Sequence, residues 1–186
     1  MIAQRYTQVA ANHHDVRLRT SPTSAVHEDG VWRVHLDGDD GPTHVEAEVV
    51  LLAVGRRPNG DRLDAASGGL DLHPDGRVVV DAELRTTAPG VWALGDVSAE
   101  HQLKHVANHE ARIVAHNLAV DLGRTAGPSR RTDDRPVPHA VFGHPQVASF
   151  GPTSAELDAA GTPYVTATQR VGDTAYGWAL EDTTGL

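Results

Sequence analysis

The sequence contains no cysteine among its 186 residues. This absence excludes disulfide scaffolds, cysteine-ligated zinc, iron–sulfur sites and a cysteine nucleophile from this chain. Long apolar runs are missing too, because none approaches the roughly 20 residues that span a bilayer. The first residues also lack the apolar segment of a secretory signal. We therefore expect no membrane association and a cytoplasmic location.

Basic charge is scarce as well. Lys and Arg total 16 against 25 Asp and Glu, so the formal net charge is −9, and Lys104 is the single lysine. A general nucleic-acid binder needs a basic face, so this balance argues against one. The sequence also has no GxGxxG phosphate-binding loop and no GxSxG nucleophile elbow. The length suggests one domain or two short pieces.

Antiparallel β structure is predicted for the first fifty residues. Asp29-Gly30 precedes a run in which Trp32, Val34 and Leu36 share one face, which indicates a hairpin. The continuous apolar run at 49–54 predicts a strand that is buried on both faces. We expect further short strands at 77–81, 91–94, 137–142, 146–150 and 164–171.

One strong helix is predicted in the second half of the chain. Its apolar residues recur at helical spacing and form a stripe of Leu103, Ala107, Ala111, Val114 and Leu118. Gly123 is a plausible end, and the polar residues 124–135 are the best linker candidate. Thr153 with Glu156 predicts the capping box of a second, short helix. No helix is expected nearer the C-terminus.

Two neighbouring features are candidates for binding a cofactor. Gly95-Asp96 ends a predicted strand, which is where ligands bind in open α/β folds, and an aspartate accepts hydrogen bonds from sugar or ribityl hydroxyls. The helix start offers unpaired N–H groups and the positive end of the helix dipole to a ring system or a phosphate. That start comprises Gln102, Leu103, Lys104 and His105. Taken alone, each feature is also compatible with an ordinary turn or helix start.

Two further features are candidate sites. Gly55 follows the apolar run and permits close approach of a ligand, while the adjacent arginines can meet a phosphate. His105 and His109 lie four positions apart and can share a helix face as metal ligands. The HExxH order is absent, however, and 12 histidines make chance pairs expected. We assign neither a metal ligand nor a catalytic residue.

In their order and spacing, several segments together resemble the flavin-dependent pyridine-nucleotide disulfide oxidoreductases, which include lipoamide dehydrogenase and glutathione reductase. The segments that carry this resemblance are residues 53–59, 86–96, 137–142 and 145–148. Residues 103–112 and 172–183 are similar to those of the members that reduce mycothione, the disulfide of the actinobacterial thiol mycothiol. The arginine-rich composition agrees with such a source.

This resemblance implies an α/β FAD/NAD(P)-binding fold, partial and built of sheet and helix layers, followed by the start of an α+β dimerisation domain. Residues 1–52 would be the last part of the NAD(P)H-binding domain. Residues 53–130 would be the second half of the FAD-binding domain, and residues 131–186 the start of the dimerisation domain. In this family Gly95-Asp96 would hold the ribityl chain of FAD. Residues 102–105 would lie along the flavin, and Gly55 near the nicotinamide nucleotide.

The departures from the family are equally informative. The redox-active cysteine pair, both glycine-rich loops and the C-terminal His–Glu pair of the family have no counterpart in this sequence. We therefore expect a C-terminal-side part of an FAD-dependent NAD(P)H:disulfide oxidoreductase, inactive alone. The resemblance implies FAD and NADPH or NADH as cofactors, a homodimer, and mycothione as the low-molecular-weight disulfide substrate.

Other functions stay open at this point. The first is part of a lipoamide dehydrogenase-like or other disulfide reductase. The second is a small nucleotide-binding domain that uses Gly95-Asp96 without redox chemistry. The third is a metal hydrolase that uses His105 and His109.

Overall fold

The computed structural model describes residues 1–132, 136–182 and 184–186. The chain divides into two compact units: a split unit of Met1–Val54 with Pro138–Leu186, and a central unit of Gly55–Val137. Two features of the sequence analysis extend past the described residues. The predicted linker runs into residues 133–135, and the segment 172–183 ends on Thr183; these residues lie outside the description.

The split unit begins with a helix, α1, at Ile2–Ala11. The expectation of β structure throughout the first fifty residues is therefore wrong for this segment. Ile2, Tyr6 and Val9 recur at spacings of four and three, which is helical, and Val9 is the buried residue of α1.

Three antiparallel strands follow α1 in a meander. Strand β1 is Ser21–Glu28, β2 is Val31–Asp37 and β3 is Thr43–Ala47, in the sheet order β1-β2-β3. The turn between β1 and β2 has positive φ at both central residues, 51° at Asp29 and 81° at Gly30. That backbone matches the right-handed twist of a hairpin. The predicted hairpin is confirmed, and the odd-numbered residues of β2 are exposed while the even-numbered ones are half-buried.

The apolar run at 49–54 is not a strand, and the prediction of a doubly buried strand is wrong. Leu51 is 87% exposed, Val54 84% and Leu52 77%. A β-strand is stabilised by backbone hydrogen bonds to a neighbouring strand. Within the described residues, no strand pairs with this run. Apolar character therefore does not bury these side chains.

The remaining predicted strands have mixed outcomes. Strand β4, His139–Val141, pairs with β5, Val147–Ser149, close to two predicted strands. At 77–81 and 91–94 the structure has only isolated bridges, such as Val80 to Thr86 and Arg85 to Trp92, in place of strands. Residues 164–171 form no strand, and Val165 is 97% exposed.

Two short helices complete the split unit. Helix α3, Ser154–Ala159, has the predicted capping box between Thr153 and Glu156. Helix α4, Ala175–Ala179, was not expected from the sequence. Its N-cap is Thr174, whose hydroxyl accepts a hydrogen bond from the Gly177 N–H at 3.1 Å.

The central unit is built on one long helix, α2, at Lys104–Asp121, as predicted. The predicted stripe is confirmed in part: Leu103, Ala107 and Val114 are half-buried, whereas Ala111 and Leu118 are exposed. The buried residues of α2 are Glu110, Ile113 and Asn117. Hydropathy periodicity missed this face because two of its three residues are polar.

The central unit also contains two short 3₁₀ turns, of which the second packs on α2. The turns are Asn59–Arg62 and Gly95–Val97. Val78 is 1% exposed and Leu84 3% exposed, and with Ile113 they form the apolar core. No helix in the described part of the chain is long and apolar enough to cross a membrane.

Candidate functional site

The predicted cofactor-binding turn at Gly95 lies directly against helix α2. Gly95 has φ +70°, a left-handed conformation that favours glycine. A Cβ at this position would lie 3.1 Å from the Cβ of Ala107, closer than such atoms normally approach. Both the backbone conformation and the close helix contact therefore favour glycine here.

Glu110, a buried residue of α2, stabilises the same turn. Its Oε2 accepts a hydrogen bond from the Gly95 N–H at 2.6 Å, and the residue is 7% exposed. Burial raises the pKa of the Glu110 carboxyl, while the Gly95 N–H and the neighbouring His109 act in the opposite direction. Sequence reasoning missed this positioning residue. The available signal was an acidic residue three positions after Ala107, on the packing side of the helix.

Arg56 joins the turn to the segment that leads into α2. Its Nη1 donates to the Asp96 carboxylate at Oδ2 and to the Gln102 carbonyl oxygen, at 2.9 Å in each case. The Asp96 side chain remains 49% exposed, so its carboxylate is accessible to a ligand. The structure thereby brings together two predicted site residues, Asp96 and Gln102, that are distant from Arg56 in sequence.

The start of helix α2 has no side-chain cap. The residue before it, Leu103, is extended, with φ −125° and ψ 136°, and the first turn contains no acidic residue. The apolar side chain of Leu103 cannot accept hydrogen bonds from the first N–H groups of the helix. These N–H groups are therefore suited to an anionic ligand. Lys104 and His105 are exposed at this end of the helix, and Gln102 and Leu103 are half-buried.

Gly55, the remaining predicted site residue, is exposed and has φ +115°. A Cβ built on it would meet nothing within 4 Å. Its conformation requires glycine, and it immediately precedes Arg56 in the chain, but the structure shows no contact that ties Gly55 to Asp96.

These residues fit a ligand that carries hydroxyls and negative charge. The Asp96 carboxylate is an acceptor for hydroxyls, and the uncapped start of α2 is a donor for an anion. Ser98, at the end of the same turn, is 6% exposed, and its Oγ has no hydrogen-bond partner among the described residues. A buried hydroxyl without a partner is rare in proteins.

The metal-hydrolase alternative gains no support from the geometry. No group of three or more His, Asp or Glu side chains that could hold a metal ion is found among residues 1–132, 136–182 and 184–186. His105 and His109 are both exposed on α2.

Comparison with known proteins points in one direction. Residues 1–111 match the family described as pyridine nucleotide-disulphide oxidoreductase. Mycothione reductase of Mycobacterium tuberculosis (strain H37Rv) is 46% identical over 188 residues, which cover 100% of this chain and 39% of that protein. Dihydrolipoyl dehydrogenase of Vibrio cholerae is 32% identical over 165 residues, 88% of this chain and 33% of the relative.

Solved structures give the same picture of the fold. The HOCl-induced flavoprotein disulfide reductase RclA from Escherichia coli superposes with a TM-score of 0.79 at 27% sequence identity, over 99% of this chain and 40% of that one. The chain thus spans about two fifths of the length of these two proteins. The expected α/β sheet-and-helix fold is confirmed by these matches.

Proposed function

Because this chain belongs to the pyridine nucleotide-disulphide oxidoreductase family, we propose that it is part of an FAD-dependent NAD(P)H:disulfide oxidoreductase that reduces mycothione to mycothiol. Members of the family bind FAD and NAD(P)H. The observation that carries the proposal is the Arg56 bridge, because it gathers Asp96 and the uncapped start of α2 into one polar site.

The residues have separate roles in this proposal. Asp96 would accept hydrogen bonds from the ribityl hydroxyls of FAD, and Gly95 would let the ribityl group approach the backbone closely. The α2 start at residues 102–105 would stabilise negative charge on a bound ring system through its N–H groups and the helix dipole. Gly55 would allow the nicotinamide nucleotide to approach the backbone. When bound, FAD would supply the capacity to accept a hydride from NAD(P)H and to deliver electrons to a disulfide.

The finer organisation is also part of the proposal. Residues 1–52 belong to the NAD(P)H-binding domain, 53–130 to the FAD-binding domain and 131–186 to the start of the dimerisation domain. The complete enzyme is a homodimer in the cytoplasm, with NADPH or NADH as electron donor. This chain alone is inactive, since it contains no redox cysteine pair.

The first test uses the purified chain alone. We expect no visible flavin absorbance and no NADPH-dependent reduction of mycothione. Turnover by the chain alone would contradict the proposed inactivity, whereas its absence with intact secondary structure by circular dichroism supports it.

The second test places the chain in a complete enzyme. The matching 39% of M. tuberculosis mycothione reductase is replaced by this chain, and the chimera is assayed with mycothione and with lipoamide. We expect bound FAD and a preference for mycothione. A preference for lipoamide would favour the dihydrolipoyl dehydrogenase alternative, which the 32% identity to the V. cholerae enzyme supports.

The chimera also tests the site. Asp96→Ala is expected to lower the FAD content, because the hydroxyl acceptor is lost. The matched control is Asp61→Ala, which removes a similarly exposed carboxylate from the Arg57 ion pair at 3.1 Å. Equal FAD content in both variants would contradict the assignment of Asp96 to the FAD site.

A further inference from the structure

Two histidines face each other across the β2–β3 ladder of the split unit. His35 and His44 are directly paired in the register, and their ring centroids lie 6.1 Å apart with the ring planes tilted by 44°. Both residues are exposed. Paired residues on neighbouring strands project from the same face of the sheet, so the two imidazoles share one side.

The local structure fixes the two backbones while leaving the rings free to turn. The next pair on the same face of the sheet is Arg33 with Glu46, whose side chains form hydrogen bonds of 3.0 Å and 2.7 Å. On the other side, the Thr23 hydroxyl donates to the His35 carbonyl at 3.3 Å. These contacts hold the register of β2, and exposed rings can rotate about their side-chain bonds at low cost.

The spacing suits a shared cation. Imidazole nitrogens bind a transition metal at about 2.0–2.1 Å, so two rings whose centroids are separated as here can direct one nitrogen each at a common ion after a small rotation. Neutral imidazole is a preferred ligand of copper, nickel and zinc, and affinity for divalent ions peaks at Cu²⁺. Glu46 is held by Arg33, so it is not counted as a ligand.

We propose that His35 and His44 form a two-imidazole chelate for a divalent transition cation, with Cu²⁺ bound most tightly and water completing the coordination. The site lies on the three-stranded sheet β1-β2-β3 of the split unit. It does not depend on the proposed flavin site. With two protein ligands it exchanges its metal readily. No group of three or more candidate ligands occurs in the described residues to compete with it as a structural centre.

The test titrates copper(II) chloride into the purified full chain in a non-chelating buffer. At substoichiometric Cu²⁺, the ring-proton resonances of His35 and His44 should broaden before those of other histidines. Electron paramagnetic resonance should show two nitrogen donors. Broadening that begins at another histidine pair, such as His13-His14 or His105 with His109, would overturn the assignment.

Variants make the test quantitative. His35→Ala and His44→Ala should each weaken the tightest site about tenfold or more, because the second ligand of a chelate binds at high effective concentration. His44→Phe should do the same while keeping a ring on the strand. The control is His27→Ala, which removes a ring in contact with Trp32 in the same three-stranded sheet, with centroids 4.8 Å apart and planes tilted by 38°. Equal weakening by the control, or none by the His35 and His44 variants, would overturn the proposal.

Discussion

The three-stranded sheet and the central unit are held together by different kinds of contact. In the sheet, each strand pairs with its neighbour in sequence, and a two-residue turn joins β1 to β2. In the central unit, buried polar side chains on α2 bind backbone groups far away in sequence. Asn117, which is 0% exposed, donates to the Glu83 and Arg130 carbonyls at 3.2 Å and 2.9 Å and accepts from the Arg130 N–H at 2.7 Å.

This difference predicts how the stability of each region responds to substitutions. A sheet built from many equivalent ladder bonds loses a little stability with each substitution. A unit whose loops depend on a few buried polar groups leaves several backbone partners unsatisfied when one of those groups is removed. Stability changes that separate the two regions are therefore the sharpest test of the comparison.

The largest effect is expected for Asn117→Ala. Three hydrogen bonds are lost, and their backbone partners on Glu83 and Arg130 lose a fully buried side chain that satisfies them, so the central unit should be destabilised by about 3 kcal/mol. Hydrogen exchange of peptides from Lys104–Asp121 should accelerate, while peptides from Val31–Asp37 stay unchanged. The control is Asn108→Ala at an exposed position of the same helix. Unchanged exchange in α2 would remove Asn117 as the anchor of this unit.

Gly95→Ala ranks second. The left-handed φ and the 3.1 Å approach to Ala107 together should cost about 2 kcal/mol. Gly90→Ala separates the two causes, since Gly90 has φ +77° and open space around a Cβ. If both variants lose equal stability in urea unfolding, the helix contact contributes nothing at Gly95.

The hairpin turn of the sheet should respond less. Gly30 has φ +81° with nothing within 4 Å of a Cβ, so Gly30→Ala should cost about 1 kcal/mol from backbone strain alone. Faster exchange confined to β1 and β2 is the expected readout. A loss as large as that of Asn117→Ala would contradict the contrast drawn between the two regions.

The smallest effect concerns pH. The pKa of Glu110 is raised by burial, so the folded state binds more protons than the unfolded state between the two pKa values. Stability from this group is therefore present at low pH and declines as the pH rises through the folded pKa. Glu110→Gln should remove that decline from the pH profile of urea unfolding, whereas Glu48→Gln at an exposed position should keep it. A parallel profile for Glu110→Gln and the unmodified chain would contradict the assignment.

Local signals explain the elements that the sequence predicted well. Asp29-Gly30 has the backbone preferences of a hairpin turn, Thr153 and Glu156 satisfy each other's helix start, and α2 follows from long helical spacing. The failures are non-local. The run at 49–54 has strand composition, but a strand requires partners that local sequence does not supply. Helix α1 was not predicted, because the hairpin pattern that follows it led us to expect β structure over all of the first fifty residues.

The amino-acid sequence by itself determined the hairpin, the long helix and the family, since each depends on residues close together or on motifs in a fixed order. It also supplied Gly95, Asp96 and residues 102–105 as candidates. Only the tertiary structure decided how they meet: Arg56 bridges Asp96 to Gln102 across 40 and 46 positions, and Glu110 holds Gly95 from 15 positions away. The physical reason is that a buried or bridging polar side chain is selected by the backbone groups it satisfies, and these are known only once the chain has folded.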